Sequence, residues 1–184
     1  MNHLKKTFLF LTITSGIFLF LPHVYFQPLL AQGDHGRDLY CFEQTMRGAL
    51  PYRDYWWPYG PLMPYYYSLF FKWLGVNIPS VLVAKMLLNL LSGAFVYLGL
   101  ATLIRPFAAW VAAVWFMTFN PDFFFTYNHA GGVTMLTATG YCLFLYLQSP
   151  RARYLYWGFF CIFALSLIKI HFGIATLFAF LLSA

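Results

Sequence analysis

Between Gly33 and Tyr67 the chain carries Asp34, Asp38, Glu43 and Asp54, four of its five acidic residues. Arg37, Arg47 and Arg53 lie in the same stretch, with a dense run of Tyr, Trp and Pro. A carboxylate beside a bilayer can act as a general base, and Arg or Lys can hold a phosphate oxyanion as its charge grows during bond breaking. Aromatic side chains at the same level suit either a lipid anchor or the face of a sugar ring. A plainer arrangement uses the same residues: Arg37, Arg47 and Arg53 pair with Asp38, Glu43 and Asp54 inside a folded loop, and Trp56 and Trp57 join an interfacial aromatic belt.

The elements that must position this stretch are apolar. The 184 residues are 61% hydrophobic and 9% charged, whereas a soluble domain is about 25% charged. The composition therefore predicts an all-α integral membrane protein, a polytopic transmembrane helix bundle forming one domain over 1–184. The net charge of +6 is spread between apolar runs, so it reads as topology and not as a nucleic-acid surface. Three cysteines make no closed disulfide set. Cys142 and Cys161 sit in apolar runs, and Cys41 is the one thiol in a polar setting, where an external reagent should reach it. No spacing suggests a metal site, and these residues require no cofactor.

Spans are expected at about 7–27, 80–104, 107–120, 131–148, 154–169 and 171–184, from the length needed to cross hydrocarbon. The first is an uncleaved span with a cytoplasmic amino terminus, because QPLLAQG lacks a small-x-small cleavage pattern. His23 is then an interfacial or packing residue. An external loop over 28–79 holds short interfacial helices, with PLMPYYYSLFFKWLG too short to cross alone. Lys85 and Lys169 fall near span ends, where their ammonium groups could snorkel or line a phosphate site. Asn120-Pro121-Asp122 marks a turn, and His129 falls in a second aromatic loop, DFFFTYNHAGG. Alternating the spans puts Lys5, Lys6, Arg105, Arg151 and Arg153 inside and every acid outside, as the positive-inside rule expects of the cations.

The order of residues in the loop resembles the first external loop of GT-C glycosyltransferases, most nearly bacterial family 39 and related protein mannosyltransferase-like enzymes. Their pattern is an early Asp, a helix ending in Gly, PYRD, and a Pro-rich element entering an aromatic helix. Here these are Asp34, Gly48, Pro51-Tyr52-Arg53-Asp54, and Pro58 with Pro61. WGFFCIFALSLIKIHFGI is similar to a later span of such enzymes that ends in Lys before a Gly-containing turn. Many members carry an acidic pair at the first position, where this chain has Asp34-His35.

The resemblance implies an inverting transferase on the extracytoplasmic face of a membrane, the bacterial inner membrane for this group. Its donor would be a polyprenyl-phosphate-linked sugar, and its acceptor a lipid, glycan or protein. Asp34 or Asp38 would be the base, with Asp34 favoured by its spacing to Gly48 and PYRD. Arg37, Arg53, Asp54, Tyr59, Lys85, His129 and Lys169 would bind substrate, although Asp54 also suits holding the PYRD turn. GT-C enzymes have more spans, so 1–184 is expected to be an amino-terminal portion. The competing class is a non-catalytic polytopic protein, a transporter fragment or an assembly partner.

Overall fold

The computed structural model describes the backbone of residues 3–26, 34–119 and 127–183, with side chains over 3–22, 34–118 and 127–183. Among them are eight helices and no named strand: α1 (His3–Phe26), α2 (Asp34–Met46), α3 (Leu62–Leu74), α4 (Ile78–Leu103), α5 (Pro106–Phe119), α6 (Tyr127–Gln148), α7 (Ala152–Ser166) and α8 (Ile170–Ser183). The exit segment 27–33 and the expected turn at Asn120-Pro121-Asp122 lie outside the described residues, as does the His23 side chain.

Among the described residues, three helices are long and apolar enough to cross a membrane: His3–Pro22 within α1, α4, and α6. The spans expected at 107–120, 154–169 and 171–184 are helices of 14, 15 and 14 residues. At 1.5 Å per residue these reach roughly 21–23 Å, short of a hydrocarbon core of about 30 Å. Their outer faces are nonetheless apolar, with Trp115, Phe163, Phe178 and Leu182 exposed.

Helix α4 is the axis of the bundle, packing against α1, α3, α5 and α6. Asn77 caps its start by accepting the Ser80 N–H at 2.9 Å, one turn in, with Pro79 where the missing N–H costs nothing. Midway, Ser92 and Thr134 share a hydrogen bond of 2.9 Å between α4 and α6, and the Thr134 hydroxyl also reaches the Leu88 carbonyl at 3.0 Å. These polar side chains are satisfied where water is absent. At the far end, Tyr97 donates to the Lys5 carbonyl at 2.9 Å and packs with Ala101, Ala109 and Ala113.

The segment expected as a loop is a folded layer over the other end. Helix α2 turns a buried face of Asp38, Cys41, Phe42 and Thr45 inward at three- and four-residue spacing. It stops at Gly48, whose φ of 95° suits a residue without a Cβ. Phe42, Trp57, Met63, Tyr67, Val81, Tyr127 and Ile168 share one core that joins α2, α3, α4, α6 and the α7–α8 turn. Cys41, expected to be accessible, is 1% exposed in that core, and burial pushes its thiol up to about 11. Trp57, expected in the aromatic belt, is buried and donates to the Gly60 carbonyl at 2.9 Å; Trp56 is exposed.

Two backbone bonds fasten this layer to the bundle. Gly60 N–H donates to the Ile168 carbonyl at 2.9 Å and Leu62 N–H to the Leu167 carbonyl at 3.0 Å. A Cβ on Gly60 would overlap the Leu167 carbonyl, whereas Gly140 has open space around it. Gly60→Ala is therefore expected to lower stability by about 1–3 kcal/mol, the cost of overpacking. Gly140→Ala should be neutral or slightly stabilising in its helix. Thermal unfolding of the solubilised protein compares the two, and equal midpoints would dismiss the close approach at Gly60.

Candidate functional site

The site grows from the first turns of α2. Asp34 and Asp38 are four residues apart with Arg37 between them, so helical geometry brings all three side chains to one side. Arg37 donates from Nη1 to Asp34 Oδ1 at 3.0 Å, and from Nε and Nη2 to Asp38 Oδ1 at 3.1 and 2.7 Å. Asp34 is 63% exposed, at the helix start where a negative charge complements the backbone dipole. Asp38 is 0% exposed, and its Oδ2 is buried with no hydrogen-bond partner among the described residues. Burial raises its carboxyl to about 6, against the lowering pull of the Arg37 bond and charge.

The Arg37 guanidinium also lies 5.8, 5.9 and 5.7 Å from the rings of Trp56, Trp57 and Tyr59. Across Tyr59, Lys169 places its Nζ 5.3 Å from the same ring. Two cations from opposite ends of the sequence thus flank one aromatic side chain. Lys169 is 9% exposed, and its Nζ lies 2.8 Å from His129 Nε2, so the ammonium donates when that nitrogen is unprotonated. Lys85, 4% exposed, has its Nζ 5.9 Å from the Tyr127 ring. Neither lysine snorkels. The α2–α3 layer covers this end of α4 and the α7–α8 turn, so the heads of both lysines are buried in protein.

A cleft of about 420 Å³ opens between the aromatic layer and the α7–α8 turn. Tyr52, Trp57 and Tyr59 line one side, and Ser166, Lys169 and His171 the other. A smaller, apolar cavity of about 80 Å³ adjoins Lys169, walled by His129, Val133, Leu136, Leu165 and Phe172. Lys169 is common to both. An anionic head beside an aromatic-lined chamber and an apolar slot is the combination this arrangement can accommodate.

The remaining residues singled out in the sequence have different positions. Arg53 and Asp54 pair with each other at 2.8 Å, and Asp54 Oδ2 accepts the Leu50 N–H at 2.8 Å, closing the PYRD turn. The Arg53 bond, then that N–H, hold the Asp54 carboxyl at about 2. Both residues stay outside the cleft, which Tyr52 enters instead. Glu43 pairs with Arg47 at 2.5 Å, so the pairing expected of a folded loop is formed at all three arginines. His129 belongs to the first turn of α6, not to a loop, because the helix begins at Tyr127.

Sequence reasoning passed over Tyr127 and Asn128. The Tyr127 ring is buried against Phe42, Tyr67 and His35, the last with centroids 5.1 Å apart. Asn128 donates to the Ile168 carbonyl at 3.3 Å, fastening α6 to the turn that carries Lys169. An aromatic and an amide beside a turn give no periodic signal that would mark either as central. Among the described residues no group of three or more His, Cys, Asp or Glu side chains could hold a metal ion. No protein-family model, curated protein or solved structure matches the chain.

The raised Asp38 carboxyl carries a stability consequence. The folded chain binds this proton more tightly than the unfolded chain, where Asp titrates near 3.9. Its contribution is therefore fully present below about pH 4 and is lost as pH rises through about 6, a fall of roughly 2–3 kcal/mol. Asp38→Asn should remove that component from the dependence of unfolding on pH between 4 and 7. Superimposable profiles for the two proteins would mean that Asp38 does not titrate in this range.

Proposed function

We propose that this protein transfers a sugar from a polyprenyl-phosphate-linked donor to an acceptor hydroxyl at the extracytoplasmic face of a membrane, with inversion at the anomeric carbon. One observation carries the reading: a buried, half-bonded carboxylate, Asp38, is paired with Arg37, whose guanidinium lies 5.9 and 5.7 Å from the Trp57 and Tyr59 rings of a cleft that Lys169 also lines. Three helices long and apolar enough to cross a bilayer support a membrane setting, in which a polyprenyl tail keeps its donor at the site's level.

The charge pattern supports the orientation. Lys5, Arg105 and the Arg151–Arg153 turn gather at the Tyr97 end of the bundle, where Gly99 faces Phe144 of α6. Asp34, Asp38, Glu43 and Asp54 lie in the α2–α3 layer at the other end. Placing the end whose described charges are all cationic in the cytoplasm leaves the cleft end, where acids and cations are mixed, outside.

This reaction requires the acceptor to reach Asp38 Oδ2, which is covered in the structure; there the carboxylate removes the hydroxyl proton as the oxygen bonds to the anomeric carbon. The bond from that carbon to the donor's phosphate oxygen breaks on the opposite face, which inverts the centre. Arg37 and Lys169 take up the charge left on the phosphate. His129 orients the lysine, and Lys85 adds positive charge behind Tyr127. Asp38 stands ahead of Asp34 because a pKa of about 6 poises it to accept a proton near neutral pH. Asp34 is the more open of the two and helps to orient Arg37. Arg53 and Asp54 hold the turn instead of touching the reacting atoms.

Transfer is measured with a lipid-phosphate-linked sugar in vesicles carrying the protein. Asp38→Asn should slow it by about 10²–10⁴, the usual worth of a general base, while Asp34→Asn costs much less. The wild-type rate should fall about tenfold per pH unit below 6, because the base must be unprotonated. A large loss in Asp34→Asn with little in Asp38→Asn would move the base four residues back. Wild-type activity unaffected by either change would replace the catalytic role of α2 with the binding or assembly reading.

A further inference from the structure

We propose that Tyr52 supplies part of the aromatic wall that receives the sugar ring of a glycosyl phosphate in the 420 Å³ cleft, and that its strained backbone is kept for the sake of that side chain. This rests on the transfer reading above and locates the sugar within it. Tyr52 has φ of 68°, the only positive value among the described residues other than glycine. In that region the Cβ crowds the backbone, so a bulky aromatic there is a genuine outlier.

The turn around it is heavily tied. Tyr52 N–H donates to the Tyr55 carbonyl at 3.0 Å, Asp54 N–H to the Leu50 carbonyl at 3.0 Å, and Leu50 N–H to Asp54 Oδ2 at 2.8 Å. These bonds hold the backbone, and none of them needs the phenol. Glycine would fit the same φ without crowding. Burial does not explain the tyrosine either, since it is 59% exposed. The one local bond that uses the phenol, from its hydroxyl to the Tyr59 carbonyl, is made to the cleft's own lining, so the retained strain points to a use for the side chain there.

That use is visible in its surroundings. The Tyr52 hydroxyl donates to the Tyr59 carbonyl, which ties the turn to the residue flanked by Arg37 and Lys169. Tyr52, Trp57 and Tyr59 line the same side of the cleft, facing Lys169 and His171. A volume of about 420 Å³ falls within the usual range for small-ligand pockets, about 300–1,000 Å³. The C–H face of a pyranose packs on aromatic rings, and its phosphate, one bond away, then lies toward the lysine. A ligand that is flat, weakly apolar on one face and anionic at one end matches both walls.

The test separates the ring from the phosphate. Binding of octyl glucosyl phosphate and octyl mannosyl phosphate is measured on the protein in nanodiscs, with octyl phosphate as the probe lacking a ring. The wild type should bind at least one glycosyl phosphate more tightly than octyl phosphate. Tyr52→Gly should weaken that binding about tenfold, the scale of one aromatic contact, and leave octyl phosphate unchanged. Because the substitution also relieves the backbone, the variant should unfold within about 4 °C of the wild type or above it. Tyr52→Phe, which keeps the ring, should retain most of the binding. The inference is overturned if Tyr52→Gly weakens all probes equally, changes none, or unfolds well below the wild type, the last being the mark of a structural tyrosine. Wild-type binding of octyl phosphate alone sinks the ring site and spares the transfer reading; no binding of any probe removes both.

Discussion

The α7–α8 turn and the 57–62 segment are joined by a pair of backbone hydrogen bonds, and the placing of Lys169 against the aromatic wall depends on that junction. Leu167 and Ile168 offer carbonyls freed by the end of α7, and Gly60 and Leu62 supply N–H groups with no partner in their own strandless segment. Ile168 also receives Asn128 from α6. Unpaired backbone groups buried away from water cost about 1–3 kcal/mol each, so three elements that each leave groups unsatisfied gain by meeting. The absence of a side chain at residue 60 lets them meet at this distance. Lys169 follows directly from the turn, and Tyr59 directly precedes Gly60, so the junction sets the separation of the lysine from the ring it faces.

Arg37 is the electrostatic counterpart of that junction. It is shared by an exposed carboxylate, a buried one and three aromatic rings. The Asp34 pair is open to water and worth little, because exposed ion pairs are screened. The Asp38 end of the second pair is fully buried, and removing Arg37 would leave that carboxylate's charge uncompensated. Asp38 accordingly stabilises the layer least when it is ionised without help, and its proton affinity measures how incomplete the help from Arg37 is.

Much of the fold was legible because apolar runs and breakers are local signals. The helices at 78–103, 106–119 and 152–166 lie close to the expected runs, bounded by Asn77, Arg105-Pro106 and Ser149-Pro150. The three expected Arg–carboxylate pairs were legible too, since they connect chain neighbours or residues four apart on a helix; the Arg37–Asp34 pair adds to them. Burial was not legible. Lys85 and Lys169 look like helix-end lysines free to reach outward, and Trp57 looks like its exposed neighbour Trp56. Each is covered only because α2 and α3 fold back over the bundle end, and that tertiary event leaves no mark within a few residues of any of them. For the same reason Asp34 and Asp38 looked alike in type and spacing, while one turn of helix separates an open carboxylate from a closed one.

That single turn also gives the site an internal coupling under the proposed reaction. Arg37 lowers the proton affinity of Asp38 by hydrogen bond and by charge, opposing the larger effect of burial. A phosphate arriving between Tyr59 and Lys169 competes for the same guanidinium, which lies 5.7 Å from that ring. As Arg37 turns toward the phosphate, its bonds to Asp38 Oδ1 weaken and burial acts on the carboxylate with less opposition. The carboxylate becomes a stronger base once the leaving phosphate is held, and a weaker one, locked in its ion pair, while the cleft is empty. Asp34, still within reach of Nη1, keeps the guanidinium on the helix through that movement. Two carboxylates sharing one arginine can thus divide the work, the exposed one anchoring the cation and the buried one taking the proton.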